Sequence, residues 1–166
     1  VKHTILLLAL AACAPKSTPA SAPEADAGSA RAVSSSDADL QTVTARLSDR
    51  HPSNDCTALV EGLSDARTAL RRAVDEVTMP PWVGLISGEC LAVKYGAEEE
   101  ALVTRWLTEA DYAGLGRSII RAIPRVADEA LAVRLGGAAL RGPNAELATT
   151  ELANDPRAAV RALVGR

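Results

Sequence analysis

One spacing governs what this chain can fold into. Leu59, Leu63, Ala66, Leu70, Ala73, Val74 and Val77 recur at intervals of three and four, which lays them along one stripe of a helix. The same period returns in almost every later segment. Trp82, Leu85, Ile86, Leu91 and Val93 form one run, closed by Gly96. Leu102, Val103, Trp106 and Leu107 form the next, after Glu98, Glu99 and Glu100 crowd a helix start, where negative charge meets the positive end of the dipole. No segment alternates with the period of two that a half-buried strand requires. The expectation is an all-α fold.

Punctuation divides the pattern into short helices. Gly62 and Ser64-Asp65 can break the first stripe into two helices, with Asp65 as a cap. Met79-Pro80-Pro81 ends that helix and can begin the next, because proline cannot continue a helix but is preset for its first turn. Thr108-Glu109-Ala110-Asp111 reads as a capping signal ahead of Tyr112, Leu115, Ile119, Ala122 and Ile123. Val126, Ala130, Val133 and Leu140 mark a further helix, weakened by Gly136-Gly137, and Gly142-Pro143-Asn144 is a turn. Leu147 and Leu152 belong to a short helix, and Asp155-Pro156 predicts the start of the last one, an N-cap followed by proline. The chain has no Phe, two Trp and two Tyr, so Ala, Leu and Val must build the core. Such small side chains suit helices that approach closely.

Two internal likenesses suggest a repeat. Asp65-Ala66-Arg67-Thr68-Ala69-Leu70-Arg71 matches Asp155-Pro156-Arg157-Ala158-Ala159-Val160-Arg161, and Trp82-Val83-Gly84-Leu85 matches Tyr112-Ala113-Gly114-Leu115. The offsets are 90 and 30 residues, and about thirty residues is one helical hairpin, the unit of an α-solenoid. Around Asp155 to Leu163 the chain resembles a HEAT-type repeat, in which an Asp-Pro turn leads into a helix carrying Val-Arg and small residues. The likeness is fair around Asp65 and poor between Tyr95 and Gly142. HEAT units usually run about 40 residues, so these copies are closer to the compact HEAT-like repeats of bilin lyases. The resemblance implies a short α-solenoid of antiparallel helix pairs, with an extended surface that binds partners and with no chemistry of its own.

The N-terminal part reads differently. A basic start (Val1-Lys2-His3) precedes an apolar run from Ile5 to Ala12, as in a secretory signal. That run is too short for a bilayer, which needs about 20 residues. Leu10-Ala11-Ala12-Cys13 resembles the lipobox of bacterial lipoproteins. The resemblance implies cleavage after residue 12 and a diacylglycerol thioether on Cys13, hence a lipid bilayer as partner. In Gram-negative lipoproteins an Asp after the lipidated Cys retains the protein in the inner membrane. Ala14 stands there, which implies the outer membrane. Residues 13–38 are rich in Ala, Ser and Pro and cannot bury enough surface to offset ordering. They are expected to form a disordered tether reaching about 25–30 Å, ahead of a helical domain over 39–166.

The remaining residues narrow the function by exclusion. The net charge of −3 and the lack of a basic stripe with interleaved aromatics disfavour nucleic acid. Apart from His3 in the signal there is one His, His51, beside Pro52, and no nucleophile motif accompanies it. No catalytic residue, metal site or cofactor is predicted: His51, Cys56 and Cys90 lack paired spacing and a fourth ligand. Cys56 and Cys90 are either a disulfide or two free buried thiols. Export favours the bridge, which would close a loop of about 35 residues and contribute about 3–4 kcal/mol. Acidic pairs such as Asp75-Glu76 and Asp128-Glu129 read as solvated surface, and Gly84, Gly88, Gly114 and Gly116 as close helix packing. Trp82, Arg117 and Arg121 are candidate partner contacts, the arginines because they lie four apart on one face. The expectation is an envelope lipoprotein whose repeats bind or scaffold another envelope protein. The alternatives are an enzyme with an unfamiliar acidic site and a small-ligand binder between helices.

Overall fold

The computed structural model describes residues 34–48, 52–53 and 55–165. Cys13, its signal, most of the expected tether and His51 lie outside the described residues. The described part is all-helical, without a strand. Its α-helices are α1 (Ser35–Leu47), α2 (Cys56–Val60), α3 (Ala66–Glu76), α4 (Pro81–Tyr95), α5 (Glu100–Thr108), α6 (Ala113–Ala122), α7 (Glu129–Ala139), α8 (Ala145–Ala153) and α9 (Ala158–Arg161). Single 3-10 turns at Ala110–Tyr112 and Ile123–Arg125 precede α6 and follow it.

The packing is that of a short α-solenoid of helix pairs. α3 packs on α4, α5 on α6 and α7 on α8 within pairs, while α1 packs on α3, α4 on α6, α5 on α7, α6 on α8 and α7 on α9 between them. From α4 onward, each helix meets its sequence neighbour and the helix two places on. The odd-numbered helices begin at residues 35, 66, 100, 129 and 158, so the steps are 31, 34, 29 and 29. The repeat near thirty residues is thus carried by the fold.

Carboxylates start several helices. Oδ1 of Asp55 accepts from the Thr57 amide, that of Asp65 from Thr68 and that of Asp128 from Leu131, at 2.9, 3.1 and 3.1 Å. Each satisfies an amide that the first turn leaves free. Asp65 and Asp155 precede α3 and α9, three repeats apart. A third copy stands between them: Asp128-Glu129-Ala130-Leu131-Ala132-Val133-Arg134. The stretch from Tyr95 to Gly142, judged poor by sequence likeness, therefore contains a complete repeat start. Its signal was the Asp, Ala, Val and Arg at matching offsets.

Several local expectations change. α1 starts at Ser35 and not at residue 39, because Ser34 caps it and Arg72 of α3 donates to Ser36 Oγ and Asp37 Oδ1 at 2.8 and 2.9 Å. Thr108 ends α5 and does not cap the next helix; its hydroxyl donates back to the Thr104 carbonyl. α7 buries Leu131, Ala132, Leu135, Ala138 and Ala139, whereas Ala130 is exposed and Val133 only half-buried. α7 lies among α5, α8 and α9, so alanines join Leu131 and Leu135 on its inner face, which is turned away from Ala130 and Val133. Gly136 does not weaken it: a Cβ there would lie 2.9 Å from Leu163 Cδ1 and 3.3 Å from Leu152, so the glycine lets two helices seat on α7. α9 begins two residues after Pro156, since Asp155 first forms a turn by accepting from the Arg157 amide at 2.9 Å. The core between the layers holds Leu70, Leu91, Trp106, Leu107, Ile119, Ile120, Ile123, Leu135 and Leu152, all fully buried.

Candidate binding groove

The two copies of the aromatic-x-Gly-Leu motif occupy the same place in adjacent repeats. Trp82 is the second residue of α4, and Tyr112 immediately precedes α6. α4 and α6 pack side by side in the interior of the stack, so both motifs lie along one of its edges. There they border an open groove of about 540 Å³. Val74 and Asp75 at the end of α3, Val77 and Thr78 beyond it, Gly84 and Leu85 of α4, Asp111 and Tyr112 of the 3-10 turn, and Gly114 and Leu115 of α6 line it.

The glycines explain why a groove exists. A Cβ on Gly114 would meet nothing within 4 Å, and one on Gly84 would make only ordinary contact with the α3 backbone at 3.7 Å. One turn or half a turn further along, the situation reverses. A Cβ on Gly88 would lie 2.5 Å from Leu115 Cδ1, and one on Gly116 would lie 2.9 Å from the Trp106 carbonyl. The expectation that all four glycines serve close packing holds for Gly88 and Gly116. Gly114 instead leaves open space on the groove side, and Gly84, which also lines the groove, has room for no more than ordinary contact with α3.

The groove is apolar inside and acidic at its rim. Val74, Val77, Leu85 and Tyr112 are half-buried, whereas Asp75 and Asp111 are exposed. Arg105 lies over the Tyr112 ring, 5.3 Å from its centroid, a cation–π contact. Its guanidinium is already engaged by Glu109, at 3.0 Å. That hydrogen bond is the main reason Arg105 is held above its ordinary pKa, with Asp111 a smaller contributor. Arg105 and Glu109 offset each other, and the rim keeps the negative charge of Asp75 and Asp111. Met79, between the lining residues Thr78 and Pro81, is 75% exposed. The arrangement can seat an apolar side chain and hold a cation beside it.

The sequence-predicted contact residues do not form one cluster. Trp82 is 38% exposed, and its indole Nε1 donates to the Leu47 carbonyl at 2.7 Å, tying the start of α4 to the end of α1. Arg121 faces the other way, with Nε 3.9 Å from Glu151 Oε1 of α8. Arg117 is exposed on α6, its Nε 3.5 Å from the Ala113 carbonyl. Cys56 and Cys90 are joined by a disulfide that links α2 to α4, with Cα atoms 5.1 Å apart. Among the acidic residues read as surface, Glu99 meets Arg67 and Arg71 at 3.7 and 3.8 Å, and Glu100 holds Arg134 through two bonds at 2.7 and 2.9 Å. Asp75 and Asp111 were missed as groove residues. The repeated motif beside them was the available signal, but only the packing of α4 on α6 shows that its copies share a wall. Among the described residues, no group of three or more His, Cys, Asp or Glu is arranged to hold a metal ion. No protein family, curated protein or solved structure matches this chain.

Proposed function

We propose that this protein is an envelope lipoprotein, anchored through Cys13 in the outer membrane, whose helical repeats bind another envelope protein and catalyse no reaction. The observation that carries the binding half is the groove: two copies of one motif, in adjacent repeats, leave an apolar depression at the surface with two carboxylates on its rim. Solenoids present such repeated surfaces to partners. The anchor rests on the Leu-Ala-Ala-Cys13 motif and on Ala14 after it. No helix among the described residues is long and apolar enough to cross a membrane. A single acyl chain holds a protein only marginally, whereas several hold it firmly, so a mature triacylated Cys13 would suffice.

Two measurements test the two halves. Cys13→Ala should release the protein from membranes while leaving the far-ultraviolet circular dichroism of the helices unchanged; unaltered membrane association would refute the anchor, and recovery of wild type in the inner membrane on a sucrose gradient would refute the sorting. A photo-cross-linker placed at Thr78, in the groove, should capture one defined envelope protein in cells, and one at Arg141 should not. Equal capture at both positions, or at neither, would remove the groove from the function.

A further inference from the structure

We infer that the occupant of the groove is a polypeptide segment in which a large apolar side chain is flanked by Lys or Arg. This deepens the proposal that the domain binds protein, and it rests on that reading. The apolar side chain would enter between Val74, Leu85 and Tyr112, over the space that Gly114 leaves empty. The basic groups would meet Asp75 and Asp111, which both line the groove. The charge on the page selects this sign. No Lys or Arg lines the groove; of the neighbouring cations, Arg105 is matched by Glu109 at 3.0 Å and Arg72 by Glu76 at 2.7 Å and Asp37 at 2.9 Å, while Arg117 turns back to the Ala113 carbonyl of its own helix at 3.5 Å. An acidic segment would face two carboxylates without a compensating cation, and like charges brought together suppress a wrong partner.

Shape selects a chain segment over a small molecule. Small-ligand sites enclose most of their ligand's surface, and this groove is open along the seam between two repeats. Packed helices such as α4 and α6 lie about 8–10 Å apart, a distance that about three residues of extended chain span. A segment of about three extended residues therefore crosses the groove between the two repeats.

A phage-displayed library of random 12-residue peptides, panned on the full chain carrying Cys13→Ala, tests the inference. The enriched peptides should combine Lys or Arg with Leu, Met or an aromatic residue. Their affinity should fall at least tenfold in the double variant Asp75→Lys with Asp111→Lys, and to background in Gly114→Trp. It should also weaken as salt rises, because the rim is solvent-exposed. Thr78→Trp fills the same groove from an exposed position and covers the case in which Gly114→Trp does not fold. Enriched peptides without basic residues, or binding unaffected by charge reversal, would overturn the inference, as would a selection that enriches nothing. Displacement of the peptides by a small apolar amine of equal affinity would also overturn it, making this a small-ligand site. Each of these results leaves the Cys13 anchor and the Thr78 cross-link standing or falling on their own measurements.

Discussion

At one end of the stack, α2 is a helix of five residues, and at the other, α9 is a helix of four. Neither is long enough to persist alone, since an isolated helix needs a dozen residues or more. Each terminal helix also lacks a neighbour on one side, where an interior helix has two. The molecule secures the two ends by different chemistry. α2 is tied to α4 by the Cys56–Cys90 disulfide, and Arg46 Nη1 donates to the Leu59 and Glu61 carbonyls at 2.7 and 2.9 Å. α9 is held by a buried ion pair. The Asp155 side chain is fully buried, and Arg157 grips it through two bonds at 2.7 and 2.8 Å. The same guanidinium donates to the Val126 and Ile123 carbonyls at 2.7 and 2.9 Å, fastening the segment before α9 to the turn that follows α6. In a nearest-neighbour stack the ends open first. A covalent tie and a charged tie both resist that, but they fail under different conditions.

The largest expected effect breaks the charged end. Arg157→Met leaves Asp155 buried without its cation and frees two carbonyls. Such an uncompensated charge costs about 3–5 kcal/mol, to be read as a lower urea midpoint with an unchanged slope. Next comes the covalent end. Replacing Cys56 and Cys90 together by Ala should cost about 3–4 kcal/mol, by the loop-entropy argument for 34 residues of separation. Native-state hydrogen exchange should then speed up in α2 and stay unchanged in α9. Equal acceleration at both ends would show that the stack unfolds as one unit and that the comparison has no local meaning.

Acid separates the ends further. The hydrogen bonds from Arg157, opposed by burial, hold the Asp155 carboxyl below its ordinary pKa. A carboxyl whose folded pKa lies below its unfolded value binds fewer protons folded than unfolded. Its stabilising contribution is complete above the unfolded value, near 4, and is lost as pH falls through the folded one. Exchange at α9 should therefore rise on acidification below about pH 4, whereas the disulfide is indifferent to protons. Asp155→Asn should flatten that pH dependence.

Interior repeats supply the smaller contrasts. Asp128→Ala removes one cap at the start of α7 and should cost about 1 kcal/mol in thermal or urea unfolding. The neighbouring glycines of α7 should respond with opposite signs. Gly137→Ala meets only the flexible end of Arg141, at 3.6 Å, and should gain about 0.5–1 kcal/mol by the helix preference for alanine. Gly136→Ala must push on Leu163 and Leu152 and should lower stability. A gain at both positions would mean that α8 and α9 yield easily, and would weaken the picture of a tightly seated C-terminal end.

Much of this architecture was legible before the fold. The three-four spacing between Leu59 and Val77 marks helix, and the break at Gly62 to Asp65 divides it into α2 and α3 with Asp65 as the cap of the second, because these signals are local. The offset between the two Asp-x-Arg-x-Ala runs states the repeat. The inner face of α7 lies on a different side from the one expected: Leu131 and Leu135 are buried instead of Ala130 and Val133, and a helix packed on several neighbours also buries alanines and a glycine that hydrophobicity alone does not mark. The start of α9 was misplaced for a similar reason: Asp155 serves a long-range partner surface through Arg157, and the helix yields two residues to it.

Sequence alone determined the helical class, the punctuation and the period, since these depend on the backbone preferences and side-chain spacing of residues a few positions apart. It also carries Leu-Ala-Ala-Cys13, which resembles a lipobox. Only the tertiary structure decided that Gly114 borders open space while Gly88 and Gly116 are closed, and that Asp75 and Asp111 flank the same groove. Those properties arise between helices that are distant along the chain and adjacent in space. Local patterns place a residue on its own helix, whereas the shape between two helices depends on what each presents to the other.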